Sequence, residues 1–332
     1  MIIHLPKDIS HACAQGFADN IGALCLEKPD YFVLITNHAV KHLPESLASF
    51  ALDHWVFNSD MQLSSRQYMP ATQRIQIGDT YIGGDGHNQL MIAGPCAIES
   101  REQIEQSCHM LKQQGIRVLR AGCYKPRTSP YTFRGLGEDG LKLLSEMRDK
   151  YGLLIATEMR DATHADKVVE YADIVQVGAK AMYDHGLLTA AGQSGKPVIL
   201  KRGFGSTLQE LVNCADFIMS CGNNQVILCE RGIRSFETNT RFTLDLCGVA
   251  WLKQHSNLPI ILDPSHAMGY AYGIPDLARA CTAMGIDGLL IETHPCPECA
   301  QSDAPQQLNH EQFAQMYRSL QPIATAIGKT LV

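Results

Sequence analysis

Cationic and hydroxyl side chains follow directly after an apolar segment near residue 120. The segment 118–122 contains Arg120, and the sequence Lys-Pro-Arg-Thr-Ser follows at 125–129. Guanidinium and ammonium groups bind phosphate and carboxylate groups, and hydroxyl groups add further hydrogen bonds. This stretch therefore predicts that the protein acts on a small, phosphorylated and carboxylated anion.

Four side chains that bind transition metals lie at or just beyond the ends of predicted strands. They are Cys96, His266, Glu292 and Asp303. A thiolate, an imidazole and two carboxylates suit manganese, iron, cobalt or zinc better than magnesium, which prefers oxygen ligands alone. Taken singly, Cys96 could be a small core residue and His266 a hydrogen-bonded loop residue. Their joint position at one end of the predicted strands indicates a metal site.

The elements that position these residues recur along the chain in a regular rhythm. Eight short apolar segments are predicted as strands: 90–96, 118–122, 153–158, 174–178, 198–202, 226–231, 260–266 and 289–294. Amphipathic stretches separate them, such as 100–115, where Ser100 and Gln103 predict a capping box and Gly115 a left-handed stop. Alternating strands and helices form parallel units, and eight of them favour a closed (β/α)8 TIM barrel over an open doubly wound sheet.

Catalytic residues of such barrels lie at the C-terminal ends of the strands. Those ends present the following residues: Cys96, Arg120 with Lys125 and Arg127, Glu158, Lys180, Lys201 with Arg202, Arg231 with Arg234, Asp263 with His266, and Glu292. Cations gathered around one barrel mouth repel one another unless an anionic ligand is bound. Two phosphates and a carboxylate would balance the predicted cluster.

The first 64 residues do not follow the alternating strand and helix pattern of the rest of the chain. The pattern predicts the following elements in this order: a strand at 1–5, an apolar helix face from Ile9 to Ile21, a strand pair within 24–35, a short helical face over 47–54 and a strand at 55–57. This βαββαβ order predicts a small α+β ferredoxin-like domain over 1–64. Residues 65–88 are predicted as a connector whose hairpin, turning at Gly78, closes the bottom of the barrel. The barrel is then expected over 89–332.

Composition excludes several classes of protein. The 332 residues are 45% hydrophobic, which suffices for a full core, and the net charge of −6 argues against a nucleic-acid or membrane-surface protein. No cleavable leader pattern or apolar run of about 18 residues is found, so a cytoplasmic location without membrane contact is expected. Most of the 12 cysteines lie in periodic apolar segments and are expected to be reduced core residues.

Two short motifs are ambiguous. The glycine-rich stretch 135–140 matches a dinucleotide-binding pattern, but it follows a polar loop instead of a strand and is interpreted as the entry to a helix. Cys296 and Cys299 form one Cys-x-x-Cys pair, which is weak evidence for zinc or redox chemistry by itself. Loop thiols without a metal are the favoured interpretation of that pair.

In combination, these motifs resemble the type I 3-deoxy-7-phosphoheptulonate (DAHP) synthases, in a subfamily with a short ferredoxin-like N-terminal domain. The resemblance is carried by Ala-Gly-Pro-Cys at 93–96, Lys-Pro-Arg-Thr-Ser at 125–129, Leu-Lys-Arg-Gly at 200–203, Glu-Arg-Gly at 230–232 and Asp-Pro-Ser-His at 263–266. It runs along the whole barrel, whereas over 1–64 it depends only on element order.

The resemblance implies a transferase of the shikimate pathway and aromatic amino acid biosynthesis. Such an enzyme would condense phosphoenolpyruvate with erythrose 4-phosphate, and it would use a divalent metal bound by Cys96, His266, Glu292 and Asp303. The substrate-binding residues would be Arg120, Lys125, Lys201 and Arg231 with Lys180 for phosphoenolpyruvate, and Arg127, Thr128 and Ser129 for the tetrose phosphate. The catalytic residues would be Lys125, Lys201, Glu158 and His266. An aromatic amino acid as allosteric effector and a homo-oligomer, tetramer or dimer, are also expected.

Two departures and three alternatives accompany this resemblance. Lys180 stands where the family usually has arginine, and Tyr-Ala-Tyr at 270–272 replaces a basic pair, which could alter the preferred aldehyde. The alternatives are a 3-deoxy-manno-octulosonate 8-phosphate synthase, a Schiff-base aldolase using Lys201, and a catalytically silent sensor of aromatic amino acids.

Overall fold

The structure is a computed structural model, and it describes residues 1–84, 86–125, 129 and 131–332. A small N-terminal sheet precedes a closed barrel of parallel strands. A two-stranded hairpin lies between them in the chain.

The N-terminal sheet has the topology of a ferredoxin-like fold. Its elements are β1 (Ile2–Pro6), α1 (His11–Ile21), β2 (Leu24–Glu27), β3 (Tyr31–Ile35) and β4 (Asp53–Trp55). The strand order is β2-β3-β1-β4, and every neighbouring pair is antiparallel. Helix α1 begins where Ser10 accepts a hydrogen bond from the backbone of Cys13 and ends at Gly22 in the left-handed conformation. A small α+β domain with a ferredoxin-like strand order is therefore confirmed.

The second helix predicted for this region is wrong. Only a 3₁₀ turn, Glu45–Leu47, stands in its place, and His54 belongs to strand β4. Leu47 is fully buried, but Phe50 is 39% exposed, so the apolar spacing produces one buried contact and no continuous face. Pairing of His54 with Ile3 in β1 then holds residues 53–55 extended.

A hairpin closes the bottom of the barrel, as the sequence predicted. Strands β5 (Arg74–Ile77) and β6 (Thr80–Gly83) turn at Gly78, whose φ of 55° suits glycine. Ile75, Ile77 and Ile82 are buried against inward-facing residues of the barrel strands. The apolar side of the hairpin therefore covers the N-terminal end of the barrel.

All eight predicted barrel strands are present, and the last pairs with the first. They are β7 (Asn88–Gly94), β8 (Val118–Arg120), β9 (Leu154–Met159), β10 (Ile174–Val177), β11 (Val198–Lys201), β12 (Val226–Glu230), β13 (Ile260–Leu262) and β14 (Gly288–Glu292). The parallel pairing of β14 with β7 closes the barrel, and β15 (Thr330–Leu331) adds to β7. The confirmed fold is a (β/α)8 barrel.

Helices follow the strands around the outside of the barrel. They are α2 (Arg101–Gln113), α3 (Glu138–Tyr151), α4 (Ala165–Tyr171), α5 (His185–Gln193), α6 (Leu208–Ser220), α7 (Leu246–His255), α8 (Pro264–Met268), α9 (Ile274–Ala283) and α10 (His310–Ala326). The glycine-rich stretch leads into α3 as predicted, with Gly137 at its N-cap. None of the helices in the described part of the chain has the length and apolar character that crossing a membrane needs.

One predicted strand is shorter than expected. Residues 260–266 were predicted as a continuous strand, but β13 ends at Leu262 and α8 follows. The Asp263 carboxylate accepts the backbone N–H of His266 at 2.9 Å, and Pro264 occupies the first helical turn. This cap places His266 one turn into a helix directly above the strand.

The N-terminal sheet rests on the barrel through one apolar face. Ile2, Val33 and Ile35 share a buried core with barrel residues, whereas Ile3 and Leu34 face α1. The Asp216 carboxylate on α6 accepts the backbone N–H groups of residues 62–64 at 2.7, 3.1 and 2.8 Å. The connection between sheet and barrel is thus both apolar and hydrogen-bonded.

Candidate active site

A cavity of about 360 Å³ opens at the C-terminal ends of the barrel strands. Its lining contains nine residues that the sequence predicted for this end of the barrel: Arg120, Lys125, Glu158, Lys180, Lys201, Arg231, Arg234, His266 and Asp303. Barrel strands direct alternate side chains inward, so residues far apart in the chain converge here. The site that the strand ends predicted therefore exists as one cavity.

The four predicted metal ligands lie together on one side of this cavity. Ligand atoms of Cys96, Glu292 and Asp303 all lie within 4.8 Å of one another. His266 Nε2 is 3.5 Å from Glu292 Oε1 and 3.9 Å from Asp303 Oδ2. Closure of β14 onto β7 brings Glu292 beside the Cys96 segment, and a left-handed residue conformation, φ 51°, turns Asp303 toward them.

Asp263 orients the imidazole of His266 within this cluster. His266 Nδ1 lies 2.6 Å from Asp263 Oδ2. Burial opposes ionisation of Asp263, but the adjacent His266 ring outweighs it and holds the pKa of that carboxyl well below its usual range. A carboxylate only accepts hydrogen bonds, so Nδ1 donates to Asp263 and Nε2 is the ring nitrogen that faces Glu292 and Asp303.

Burial raises the pKa of the Cys96 thiol to about 12, and the Glu292 carboxylate contributes to the rise. The thiol is therefore neutral unless a cation is bound beside it. A thiolate that forms only against a metal, together with one imidazole and two carboxylates, fits a first-row divalent ion. The residues present thus form a candidate divalent metal site.

Two of the predicted cations are held in buried ion pairs. Arg120 is 3% exposed and its guanidinium contacts the Glu292 carboxylate. Lys201 Nζ lies 2.9 Å from Glu158 Oε2. Burial alone would raise the pKa of Glu158, but the Lys201 and Lys125 ammonium groups outweigh burial and lower it to about 2. Glu158 is therefore an ionised hydrogen-bond acceptor in the cavity.

Three other cations face the cavity without an acidic partner. Within the described ranges, no carboxylate lies within 4.0 Å of a charged nitrogen of Lys180, Arg231 or Arg234. Burial lowers the pKa of Arg231, and the nearby Arg241 adds to this effect. Lys180 and Arg234 are exposed at the rim, whereas Arg231 is buried. These three cations have no ion-pair partner in the described part of the chain, which favours the binding of an anion.

Not all of the predicted site residues are found in this cavity. Arg127 and Thr128 fall outside the described residues. Ser129 does not line the cavity, and its hydroxyl accepts a hydrogen bond from the backbone N–H of Tyr131. Arg202, expected at the rim, points away from the mouth and pairs with Glu230 and Asp245, each at 2.8 Å. Successive side chains of a strand alternate in direction, so Lys201 and its neighbour cannot both face inward.

Two further predictions can be compared with the structure. Cys296 and Cys299 form a disulfide within a 3₁₀ turn, so the expectation of free loop thiols is wrong for this pair. The other ten cysteines are free, and six of them are buried. Tyr270 and Tyr272 stack on each other at 5.9 Å outside the cavity lining.

The structure adds residues that the sequence reasoning missed. Arg241, Phe204, Phe242 and Ser302 complete the cavity lining, and Gln306 donates a hydrogen bond to Glu292 Oε2 at 2.6 Å. Phe204 and Phe242 stack at 5.5 Å. The long connection after β12 was a signal for Arg241 because loops on this face of a barrel carry function.

Fold and site together define a (β/α)8-barrel enzyme with a cavity for a small anion beside a candidate metal centre. The particular family follows from comparison with known proteins. The chain belongs to the DAHP synthetase I family, whose model matches residues 64–328. The resemblance stated from the motifs is thereby confirmed.

Known relatives agree with this assignment. A protein of Thermotoga maritima named phospho-2-dehydro-3-deoxyheptonate aldolase is 46% identical over 267 residues, covering 80% of this chain and 78% of that protein. A crystal structure from the same organism, of a protein with the same name and also called DAHP synthase, matches this chain with a TM-score of 0.81 at 37% identity. The match covers 100% of this chain and 99% of that chain. A 2-dehydro-3-deoxyphosphooctonate aldolase of Thiobacillus denitrificans is 32% identical, covering 65% of this chain and 82% of that protein.

Proposed function

We infer that the protein condenses phosphoenolpyruvate with erythrose 4-phosphate to form 3-deoxy-7-phosphoheptulonate and phosphate, the first step of the shikimate pathway. Membership of the DAHP synthetase I family supports the reaction. The observation that carries the proposal is the cavity in which uncompensated cations, the Lys201–Glu158 pair and the mixed metal-ligand cluster meet.

The cations divide into two substrate sets. Arg120, Lys125, Lys201 and Arg231 are proposed to bind phosphoenolpyruvate, with Lys180 near its phosphate. All five line the cavity. Arg127, Thr128 and Ser129 are proposed to bind the phosphate of the tetrose, as the family motif implies. Lys180 and Arg231 have no acidic partner within 4.0 Å among the described residues, so no existing ion pair must break when they receive an anionic group.

The reaction forms one carbon–carbon bond and one carbon–oxygen bond, and it breaks the carbon–oxygen bond that joins C2 to the phosphate group. C3 of phosphoenolpyruvate bonds to the aldehyde carbon of the tetrose, whose oxygen takes up a proton. Water adds at C2, and phosphate leaves with the oxygen that joined it to C2. Glu158 is ionised and accepts a hydrogen bond from that water, while Lys201 and Arg231 offset negative charge near the reacting centre.

Cys96, His266, Glu292 and Asp303 are proposed to hold the divalent metal, with manganese, iron, cobalt and zinc as candidates. When bound, the metal acts as a Lewis acid that polarises the aldehyde. His266 would bind it through Nε2, because Nδ1 is engaged by the Asp263 carboxylate.

The Lys201–Glu158 pair argues against a Schiff-base mechanism. A nucleophilic lysine needs a free amine lone pair, whereas Lys201 Nζ donates a hydrogen bond to Glu158 Oε2 at 2.9 Å, and that ion pair would have to break first. We expect borohydride treatment in the presence of either substrate to leave the enzyme active and its mass unchanged. A reduced covalent adduct on Lys201 would contradict the proposal.

Two experiments test the proposed function. The first measures phosphate release from phosphoenolpyruvate with erythrose 4-phosphate, a pentose 5-phosphate and other phosphorylated aldehydes, each with and without added metal. The highest kcat/KM is expected for erythrose 4-phosphate. A preference for the pentose phosphate would instead support the octulosonate synthase alternative.

The second experiment removes the thiolate ligand. Cys96→Ala is expected to lose metal affinity and activity together, and chelation of the unmodified enzyme should abolish activity that manganese restores. Cys13→Ala changes an exposed cysteine and serves as the control. Full activity in a verified metal-free sample would refute the metal-dependent reaction.

The remaining proposals concern the N-terminal region and the assembly. Residues 1–64 are proposed as a regulatory domain that binds an aromatic amino acid, 65–88 as the connector, and 89–332 as the catalytic barrel. A truncated form of the synthase from Thermotoga maritima covers 82% of this chain with a TM-score of 0.77 at 41% identity, which supports a separable barrel. The homo-oligomer and the cytoplasmic location stay predictions.

A further inference from the structure

The two carboxylates of the candidate metal site each divide their oxygens between different neighbours. Glu292 Oε1 lies 3.5 Å from His266 Nε2 and also contacts the Arg120 guanidinium, whereas Oε2 accepts the side-chain amide of Gln306 at 2.6 Å. Asp303 Oδ2 lies 3.4 Å from Cys96 Sγ, whereas Oδ1 lies 3.4 Å from Arg241 Nη1. In both residues one oxygen faces the other ligands and the second faces away from them.

Arg241 and Gln306 connect the two outward oxygens. Arg241 Nη1 donates to Gln306 Oε1 at 2.5 Å. Because a guanidinium only donates hydrogen bonds, the amide oxygen of Gln306 must face Arg241 and its NH2 group must face Glu292. A continuous chain of polar contacts therefore runs from Asp303 through Arg241 and Gln306 to Glu292.

The backbone fixes both members of this chain. Gln306 is 1% exposed, and its N–H donates to the carbonyl of Asp303 at 3.2 Å within the 3₁₀ turn Ala304–Gln306. The N–H of Arg241 donates to the carbonyl of Met268 at 3.1 Å, at the end of the helix that carries His266. Gly269 leaves room for Arg241, since a Cβ there would lie 2.5 Å from Arg241 Cβ.

We infer that Arg241 and Gln306 are positioning residues that orient the two carboxylate ligands of the metal site, an inference that rests on the proposed function. Hydrogen bonds to the outer oxygen of a ligating carboxylate hold the inner oxygen in place, and such partners change metal affinity by about 10- to 100-fold. Gln306 orients Glu292 without adding charge. Arg241 orients Asp303 and fixes the direction of the Gln306 amide.

Gln306→Leu isolates this role because Gln306 does not line the cavity. We expect the dissociation constant for Co²⁺ or Mn²⁺, measured on the full-length protein by competition with a chromophoric chelator, to rise about 10- to 100-fold. Gln315→Leu is the matched control, since Gln315 is exposed on α10 and bonds only to Glu311 in the described part of the chain. Circular dichroism checks that each variant is folded.

The chain of polar contacts that Arg241 and Gln306 share leads to a second, independent expectation. Arg241→Met should also weaken metal binding, and the double variant should be weaker by less than the product of the two single effects because both act through the Gln306 amide. Arg241→Lys keeps the charge but not the forked donor, so it should recover only part of the affinity. Effects that multiply independently would overturn the shared chain.

Cys96→Ala separates this inference from the proposed function. If Cys96→Ala binds metal like the unmodified protein, the metal site itself is refuted. If Cys96→Ala loses metal while folded Gln306→Leu and Arg241→Met retain full affinity, the metal site stands and the positioning role of Arg241 and Gln306 is overturned.

Discussion

Lys201 and Glu158, from strands separated by β10, form an ion pair of 2.9 Å whose side chains are 4% and 20% exposed. Gly178 follows β10 between them, and a Cβ there would lie 2.5 Å from Glu158 Oε1. The missing side chain of Gly178 therefore gives the Glu158 carboxylate the space to reach Lys201. This pair places a cation proposed to bind the substrate beside a carboxylate proposed to accept a hydrogen bond from water, within one cavity.

Glu158→Gln should reduce turnover while keeping the fold. The amide is nearly isosteric but neutral, so it accepts the hydrogen bond of water more weakly and leaves the Lys201 charge uncompensated. We expect kcat to fall by about 100-fold or more, in the range typical of general acid–base groups. Steady-state phosphate release measures this change. Glu146→Gln, in an exposed ion pair with Arg101, is the control. An unchanged kcat would remove Glu158 from the mechanism.

Lys180 tests the placement of the phosphoenolpyruvate phosphate. Lys180→Ala should raise KM for phosphoenolpyruvate because the rim loses a cation that has no acidic partner in the described residues. Lys180→Arg should tighten binding by at most about 1 kcal/mol, since a guanidinium offers a two-pronged donor but the position is solvent-exposed. Kinetics at saturating tetrose phosphate measure both changes. Lys167→Ala, in an exposed pair, is the control. Unaltered kinetics in Lys180→Ala would place the phosphate elsewhere.

Two truncations test where the barrel begins. A chain starting at Met61 keeps the hydrogen bonds that the N–H groups of residues 62–64 donate to Asp216. It also keeps those that the carbonyls of residues 63–65 accept from the side chains of Asn257 and Ser256. A chain starting at Arg66 loses all of them. We expect the longer form to be the more stable by at least about 2 kcal/mol, because hydrogen bonds to a charged group are worth 1.5–3 kcal/mol. Urea unfolding measures the difference.

The same truncations test regulation. The Met61 form should condense both substrates and ignore tyrosine and phenylalanine, which are expected to inhibit the full chain. If the full chain ignores all three aromatic amino acids, the N-terminal region has a different role, such as assembly.

Asp216 should make stability depend on pH. Burial is the largest effect on this carboxyl and raises its pKa to about 6 from an ordinary 3.8, although the hydrogen bonds from residues 62–64 oppose the rise. The folded protein then holds this proton more tightly than the unfolded chain, so the contribution of Asp216 to stability falls as pH rises from about 4 to 6. Asp216→Asn cannot titrate and should lack this fall. Urea unfolding across that pH range measures the effect, with the exposed Asp149→Asn as the control that should follow the unmodified protein. If the stability of Asp216→Asn shows the same fall with pH, the assignment to Asp216 is contradicted.

Local sequence patterns determined which elements form. Period-two and apolar segments predicted all eight barrel strands and the basal hairpin, because such patterns reflect burial within a few residues of chain. The same patterns failed at 47–54, where helical spacing was present but pairing of His54 with Ile3 favoured a strand. They also failed at 263–266, where an Asp side chain caps a helix.

Residue types at strand ends also determined most of the site. The sequence placed Cys96, His266, Glu292 and Asp303 at one face, because the ends of parallel strands meet there. It could not show that Cys96 and Asp303, 207 residues apart, lie 3.4 Å from each other. Only closure of β14 onto β7 and the left-handed conformation of Asp303 decide that distance.

Tertiary structure alone decided which polar side chains serve the site. Arg202 and Arg241 are both arginines near strand ends, yet one pairs with Glu230 behind the strand and the other lines the cavity. Gln306 has no feature in the sequence that distinguishes it from Gln307. The reason is physical: an element's type depends on nearby residues, whereas the direction of a loop side chain depends on contacts from strands and loops distant in the chain.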